Sequence, residues 1–352
     1  MDLTQIMRDV ILAESPDLHL QTGQRPMIRQ RSGELVPLTQ YNPLTAEEVK
    51  AAIDEITSDD QKASFAKNRE LDFSYHVGDI SRFRVNIFEE RHGPAIAFRV
   101  ISEKIPTFTE IGLNQIAEKL ANLPRGLVLV TGTTGMGKST TLASIINYIN
   151  LNHQKHIITI EDPIEFIYPQ GKALITQREV NVHTHSFANA IRAALRQDPD
   201  VVMVGEMRDL ETIAAAITLA ETGHLVFSTL HTSDAAQTID RIIDVFPPYQ
   251  QQQIRAQLAG TLKGVLSQVL LPRADNQGRI AAREIMLVND AIRNCIAKGQ
   301  THQIYSMIQI AGQEGMMLMD QHLLELAEKG LVTPEEALSK AHDPDSMQGK
   351  LG

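Results

Sequence analysis

Residues 132–139 read Gly-Thr-Thr-Gly-Met-Gly-Lys-Ser and fit the spacing G-x-x-x-x-G-K-[ST]. Glycines in such a run let the backbone curl so that successive N–H groups face phosphate oxygens. A helix starting at Ser139 adds the partial positive charge of its N-terminus. Lys138 is placed to reach the β- and γ-phosphates of a nucleotide, and the Ser139 hydroxyl to bind Mg²⁺. The expected phosphate contacts are Thr133, Thr134, Gly135, Met136, Gly137, Lys138, Ser139 and Thr140. A phosphate loop alone does not say what the nucleotide is used for.

Two later apolar runs end in carboxylates, Ile160-Glu161-Asp162 and Val204-Gly205-Glu206. Hydrolysis of a γ-phosphate needs one group to orient water and one to hold Mg²⁺, usually through the metal's own waters. Glu161 and Glu206 are candidates for these two tasks, with the assignment between them left open. A Walker B strand usually ends in Asp, yet here Gly205 occupies that slot. The alternative is that either glutamate only caps a following helix. His224 and His231 bracket a further apolar run, 225–230, and suit hydrogen bonding to a γ-phosphate. They are too far apart to chelate one metal, so no zinc site is expected. Arg82 and Arg84 lie two apart on a strand and face one side, with Arg99 on a later strand. Such arginines either stabilise transition-state charge from outside the ATPase core or are solvated edge residues. Arg192 and Arg196, four apart after Ser186, are expected to share a helix face toward Glu165, Glu206 or solvent.

These side chains need strands and helices to place them. Runs 127–130, 156–160, 201–204 and 225–227 are short and continuously apolar, with helical patterns between them. That is the texture of a parallel sheet buried on both faces, an α/β fold. Before it, residues 3–14 carry apolar positions at helical spacing, and Thr45 with Glu48 reads as a capping box. Short strands are expected at 17–20, 26–29, 34–37, 71–75, 81–88 and 95–100, with Ser32-Gly33 as a turn. The expected organisation is a small α+β domain over 1–101, a linker over 102–108, an ATPase domain over 109–342 and a mobile polar tail over 343–352. Beyond Asp234 the chain reads as nearly all helical apart from 279–287. One helical pattern runs from Tyr249 to Leu271.

The chain has 352 residues, 43% of them apolar and 22% charged, with a net charge of −10. Length allows two domains, and this composition excludes fibrous and disordered classes. The one cysteine, Cys295, excludes a disulfide framework and a four-cysteine zinc site within the chain. The acidic balance and the absence of tryptophan argue against a nucleic-acid partner. No apolar run approaches the roughly 18 residues of a membrane span, and the N-terminus does not read as a signal peptide. A cytoplasmic protein is expected.

The assembled motifs resemble the secretion-type hexameric ATPases, and within them the type IV pilus retraction branch. The resemblance runs from about Leu3 to Gly330. It is carried by Asp17-Leu18-His19-Leu20, Ser81-Arg82-Phe83-Arg84-Val85-Asn86, the phosphate loop, Thr159-Ile160-Glu161-Asp162-Pro163-Ile164-Glu165, Arg196-Gln197-Asp198-Pro199-Asp200, Gly205-Glu206-Met207-Arg208-Asp209 and Ser228-Thr229-Leu230-His231-Thr232. It implies a PAS-like N-terminal domain and a RecA-like ATPase domain with a helical C-terminal part. It also implies that Glu161 activates water, that Glu206 is an atypical Walker B group serving Mg²⁺ with Ser139, Glu206 through water, and that His224 and His231 belong to a histidine box. Arg82, Arg84 and Arg99 would reach nucleotide across a ring of six copies. ATP and Mg²⁺ are the implied ligands. The implied partners are the chain itself, as a homohexamer, and an inner-membrane pilus platform protein that recruits it to the cytoplasmic face without insertion. Extension-type relatives carry a longer N-terminal region and four zinc-binding cysteines, unlike this chain. Ala291-Ile292-Arg293-Asn294 and Thr301-His302-Gln303-Ile304-Tyr305 look like the retraction-type C-terminal segment. The chain departs from the family pattern at Pro16, Thr133, Met136 and 294–298. Competing expectations are an accessory retraction paralogue, a motor of another secretion system, or a nucleotide-gated scaffold with little turnover.

Overall fold

The computed structural model describes residues 1–30, 33–78, 81–101 and 104–351, apart from the side chain of Asn114. Ser32 of the expected turn, Ser102 and Glu103 of the expected linker, and Gly352 of the expected tail lie outside the described residues. The chain divides into two units. One comprises residues 1–104 with 163–167, the other residues 105–162 with 168–352.

In the first unit, α1 (Leu3–Leu12) buries Leu3, Ile6, Met7 and Val10, the stripe of an amphipathic helix. The short strands β1 (Asp17–Leu20), β2 (Met27–Arg29) and β3 (Leu35–Pro37) follow. At the start of α2 (Ala46–Ile56), the Thr45 side chain accepts the Glu48 N–H while the Glu48 carboxylate accepts the Thr45 N–H. The next helix, α3 (Asp59–Asn68), carries the same device at Ser58 and Gln61 but buries no residue fully. With no apolar stripe, it left no periodic signal in the sequence. The strands β4 (Glu70–Val77), β5 (Ser81–Glu90) and β6 (Gly93–Ile101) complete an antiparallel sheet in the order β3-β2-β1-β6-β5-β4. On β5, Ser81, Phe83, Val85 and Ile87 are buried, so Arg82 and Arg84 point to the other face. Phe83 meets Phe98 edge to face, ring centres 6.1 Å apart. Burying each ring stabilises the unit by about 1.5–3 kcal/mol.

The second unit runs α4 (Asn114–Ala121), β7 (Gly126–Thr131), α5 (Lys138–Asn152), β8 (His156–Glu161), β9 (Leu174–Glu179), α6 (Phe187–Ala194), β10 (Val201–Val204), α7 (Leu210–Glu221) and β11 (Leu225–Leu230). It continues with α8 (Ala235–Asp244), α9 (Pro248–Thr261), β12 (Leu262–Pro272), β13 (Arg279–Leu287), α10 (Asp290–Lys298), α11 (Ile304–Ile310), α12 (Met319–Glu328), α13 (Pro334–Lys340) and α14 (Pro344–Leu351). The sheet order is β13-β12-β7-β11-β10-β8-β9. Every neighbouring pair is parallel except β12 with β13. Side chains of β7, β10 and β11 are buried throughout, as required of strands covered on both faces.

Two expectations change here. The helix expected from Tyr249 to Leu271 ends at Thr261, and the chain continues as β12 between β7 and β13. Leu262, Val265, Leu266 and Val269 are spaced as on a helix, and a strand buried on both faces has no strict alternation to contradict that. The mobile tail expected over 343–352 is instead the helix α14, whose Met347 is buried with Leu323, Leu326 and Val332. Met347, with Leu351 packed beside the same cluster, anchors an otherwise polar segment.

β13 carries the buried neighbours Arg283 and Glu284, which alternate to opposite faces. The Glu284 carboxylate accepts the Ala235 N–H at the start of α8, 2.8 Å away. Burial pushes its pKa from an ordinary 4.5 up to about 7; Asp234 and Asp320 push the same way, while backbone hydrogen bonds from Ala235 and Met319 oppose. A raised carboxyl pKa means that the folded state binds the extra proton between those two values. Stability therefore falls as pH rises from 4.5 through about 7. Glu284→Gln is expected to match wild type in urea unfolding near pH 5 and to exceed it at pH 8 by on the order of 2–3 kcal/mol. An equal difference at both pH values would refute this reading.

Candidate active site

The C-terminal ends of β7, β11, β10 and β8 lie side by side at one edge of the parallel sheet. In open α/β sheets this edge is where ligands bind. β7 delivers the loop at 132–137, and α5 begins at Lys138. A Cβ at Gly132 would lie 2.4 Å from the Gln268 carbonyl oxygen, so only glycine lets the chain leave β7 here. Gly137, the N-cap of α5, holds φ +79°. Lys138 is 8% exposed, and its Nζ donates to the carbonyls of Gly132, at 2.7 Å, and Thr133, at 3.1 Å. The ammonium thus lies inside the loop. Thr133, Thr134 and Gly135 are exposed, while Met136, Ser139 and Thr140 are half-buried.

Glu161 closes β8 and is 6% exposed. Thr159 Oγ1 and Gln177 Nε2 both donate to its Oε1, at 2.7 and 3.3 Å. These donors fix the plane of a buried carboxylate at the ligand edge, as an acceptor for a water proton requires. Glu206 follows β10 and is joined by Arg208 Nε at 2.7 Å and His231 Nε2 at 3.5 Å. The strand ends hold this group together: Met207 N donates to the Thr229 carbonyl, and Thr229 Oγ1 to the Gly205 carbonyl at 2.6 Å. A Cβ at Gly205 would lie 3.3 Å from the Ile160 carbonyl oxygen. A side chain there would press on that carbonyl by a few tenths of an ångström, and the carboxylate stands one residue further on, at Glu206.

Neither glutamate acts as the cap of a following helix. Asp209 caps α7 by accepting the Thr212 N–H and hydroxyl, and β8 is followed by β9. Burial pushes the Asp209 carboxyl up, but hydrogen bonds from Thr212, with the backbone N–H groups of Glu211 and Asp209, together hold its pKa below the ordinary range.

His224 lies elsewhere. It precedes β11, at the N-terminal end, and its Nδ1 meets the Leu219 carbonyl at 3.0 Å and Thr222 Oγ1 at 3.1 Å. A six-residue strand, roughly 20 Å long, separates it from the phosphate edge. Its place is that of a helix-end partner for α7. Arg196 does not share a helix face with Arg192, because α6 ends at Ala194. Arg192 pairs instead with Glu211, Nη2 to Oε2 at 2.8 Å.

In the first unit, Arg84 and Arg99 are register partners on β5 and β6, a like-charge pair on one face. Arg99 Nε donates to Asp17 at 2.8 Å, Arg84 lies 3.9 Å from Asp72, and Arg82 donates to Ser74 at 2.6 Å. The sheet face away from the core therefore carries three guanidinium groups, each beside a polar or acidic side chain.

The donor set suits Mg²⁺. A hydroxyl, Ser139, and one carboxylate, Glu206, leave most positions to water and phosphate, as this ion prefers. Among the described residues no three His, Cys, Asp or Glu side chains gather as a metal site of their own. Bound there, Mg²⁺ would neutralise phosphate charge. Two side chains at this edge had no sequence signal, Gln177 on the unanticipated β9 and Gln268 on β12, and Thr159, though inside a quoted motif, had no role assigned. Arg208 stood within a quoted motif but without a role.

Comparison with known proteins agrees with this geometry. A model of the family described as type II/IV secretion system protein matches residues 1–339. The chain is 46% identical over 347 residues to the type IV pilus retraction ATPase PilT of Pseudomonas aeruginosa, covering 99% of this chain and 100% of that one. It is 49% identical over 304 residues to a twitching motility protein of Neisseria gonorrhoeae, covering 86% and 81%. Among solved structures it is similar to the pilus retraction motor PilT with bound ADP. There the TM-score is 0.93 at 43% identity, over 99% of both chains.

Proposed function

Since the chain belongs to the type II/IV secretion system protein family, we propose that it is an ATP-hydrolysing ring motor that powers type IV pilus retraction. The observation that carries the reading is the single edge of the sheet where Lys138, Glu161 and the Glu206–Arg208–His231 group converge. Full-length similarity to a retraction ATPase supplies the cellular task.

The roles follow from position. Lys138, the loop amides and Ser139 hold the phosphates. Glu161 accepts a proton from the attacking water. Glu206 supports Mg²⁺ through water, with His231 and Arg208 orienting its carboxylate. Arg82, Arg84 and Arg99 supply positive charge to nucleotide held by a neighbouring copy in a hexamer. The antiparallel order of the first sheet supports a PAS-like reading, and the parallel core beside the phosphate loop a RecA-like one. Among the described residues no helix is long and apolar enough to cross a membrane. Recruitment to the cytoplasmic face by an inner-membrane platform protein fits a motor of this kind.

The test is pilus retraction in a deletion strain. Retraction is expected to stop, and the wild-type gene to restore it. Complementation with Arg82→Ala, Arg84→Ala or Arg99→Ala genes shows which guanidinium the cycle needs; full rescue by all three removes the trans role. Unchanged retraction on deletion would overturn the motor assignment in favour of an accessory paralogue or another secretion machine.

A further inference from the structure

β12 runs parallel to β7, with Leu266 opposite Val130 and Ser267 opposite Thr131. Gln268 is therefore level with Gly132, where the phosphate loop begins. It is 1% exposed. Its Nε2 donates to the Met136 carbonyl at 2.5 Å, and its Oε1 accepts the Thr141 hydroxyl at 2.9 Å. The amide can be oriented only this way, because a carbonyl accepts and cannot donate. Thr131 Oγ1 donates to Ser267 Oγ at 2.9 Å, and Leu270 N to Met136 Sδ at 3.2 Å. The loop is thus fastened to β12 on both sides of Gln268.

The peptide that Gln268 holds joins Met136 to Gly137. In a planar trans peptide the C=O and the following N–H point in opposite directions. Turning the Met136 carbonyl onto β12 turns the Gly137 N–H away from β12. That N–H is one of the amides a phosphate loop offers to its ligand. A water molecule could satisfy the same carbonyl, but it would not fix the peptide plane.

We propose that Gln268 is a positioning residue for the nucleotide: it sets the Met136–Gly137 peptide, aims the Gly137 N–H at phosphate, and ties that peptide to the first turn of α5 through Thr141. The inference rests on the nucleotide reading of the site given above. Gln268 itself touches no phosphate. Its loss acts through the loop.

The test is ADP affinity, measured with a fluorescent analogue on the full chain, together with KM and kcat for ATP. Gln268→Leu is expected to raise both the ADP Kd and the ATP KM by at least about tenfold, the scale of one lost hydrogen bond to a charged ligand. Gln268→Glu keeps the acceptor for Thr141 but places a carboxylate oxygen against the Met136 carbonyl. At pH 8 it is expected to bind ADP about as poorly as Gln268→Leu. Burial favours the protonated acid, which can donate again, so at pH 6 its affinity is expected to return to within about threefold of wild type at that pH. Should Gln268→Leu not fold, the pH dependence of Gln268→Glu still decides. An ADP affinity of Gln268→Glu that tracks wild type at both pH values overturns the inference, as does equal weakness at both. A wild type that hydrolyses ATP while both variants keep its KM overturns the inference alone. A wild type that binds no ADP overturns the nucleotide reading beneath it.

Discussion

Replacing Glu161 with glutamine is expected to lower ATP turnover by about 10²–10⁴-fold while leaving ADP affinity within a few-fold of wild type. The carboxylate closes β8 at the ligand edge and is nearly buried. Thr159 and Gln177 donate to one of its oxygens, which fixes the direction in which it accepts a proton. Glutamine has the same shape and keeps an oxygen for those donors, but it cannot take the proton of an attacking water. Ground-state binding runs through the loop and is not touched. Phosphate release under saturating Mg-ATP, beside ADP titration, separates the two quantities. Normal turnover would remove Glu161 as the base. Loss of turnover together with binding would mean a damaged pocket instead.

Lys138→Ala is expected to fail at the earlier step. Its ammonium is held inside the loop by the Gly132 and Thr133 carbonyls, next to where the phosphates would lie. A hydrogen bond between charged groups is worth about 1.5–3 kcal/mol, which is roughly 10–100-fold in affinity. Charge that develops during transfer adds on the order of a further 10²–10³ in rate. ADP binding should therefore weaken by roughly 10–100-fold and turnover should fall to background. The two carbonyls left behind also cost about 1–3 kcal/mol if they stay dry, so a lower melting temperature is part of the expected result. Wild-type affinity in this variant would show that the loop cradles something other than polyphosphate.

What could be read from sequence was what is local. The loop at 132–139, its flanking strand and helix, and the capping box at Thr45 and Glu48 depend on residues a few positions apart. Glu161 and Glu206 were legible because an apolar run ending in a carboxylate marks the end of a buried parallel strand. The failures were non-local. β12 has apolar residues at helical spacing, and only its place between β7 and β13 makes it a strand. Gln268 follows that error, since it meets Thr141 across 127 residues of chain. His224 was grouped with His231 because both flank one strand, yet a strand carries its two ends to opposite edges of the sheet. Met347 turned an expected tail into a helix through one contact surface.

The position of β7 has a consequence for synthesis. Both of its neighbours in the sheet, β11 and β12, come later in the chain. Ser267, whose hydroxyl accepts from Thr131, lies 136 residues beyond it. At roughly 5–20 residues per second, a ribosome takes on the order of ten seconds to add that length. During this interval a mostly apolar strand lacks first both neighbours and then, once β11 has emerged, only β12, and is exposed to misassociation. The ATPase unit must therefore complete its sheet late, and chaperone protection of the nascent chain matters most between the emergence of β7 and that of β12.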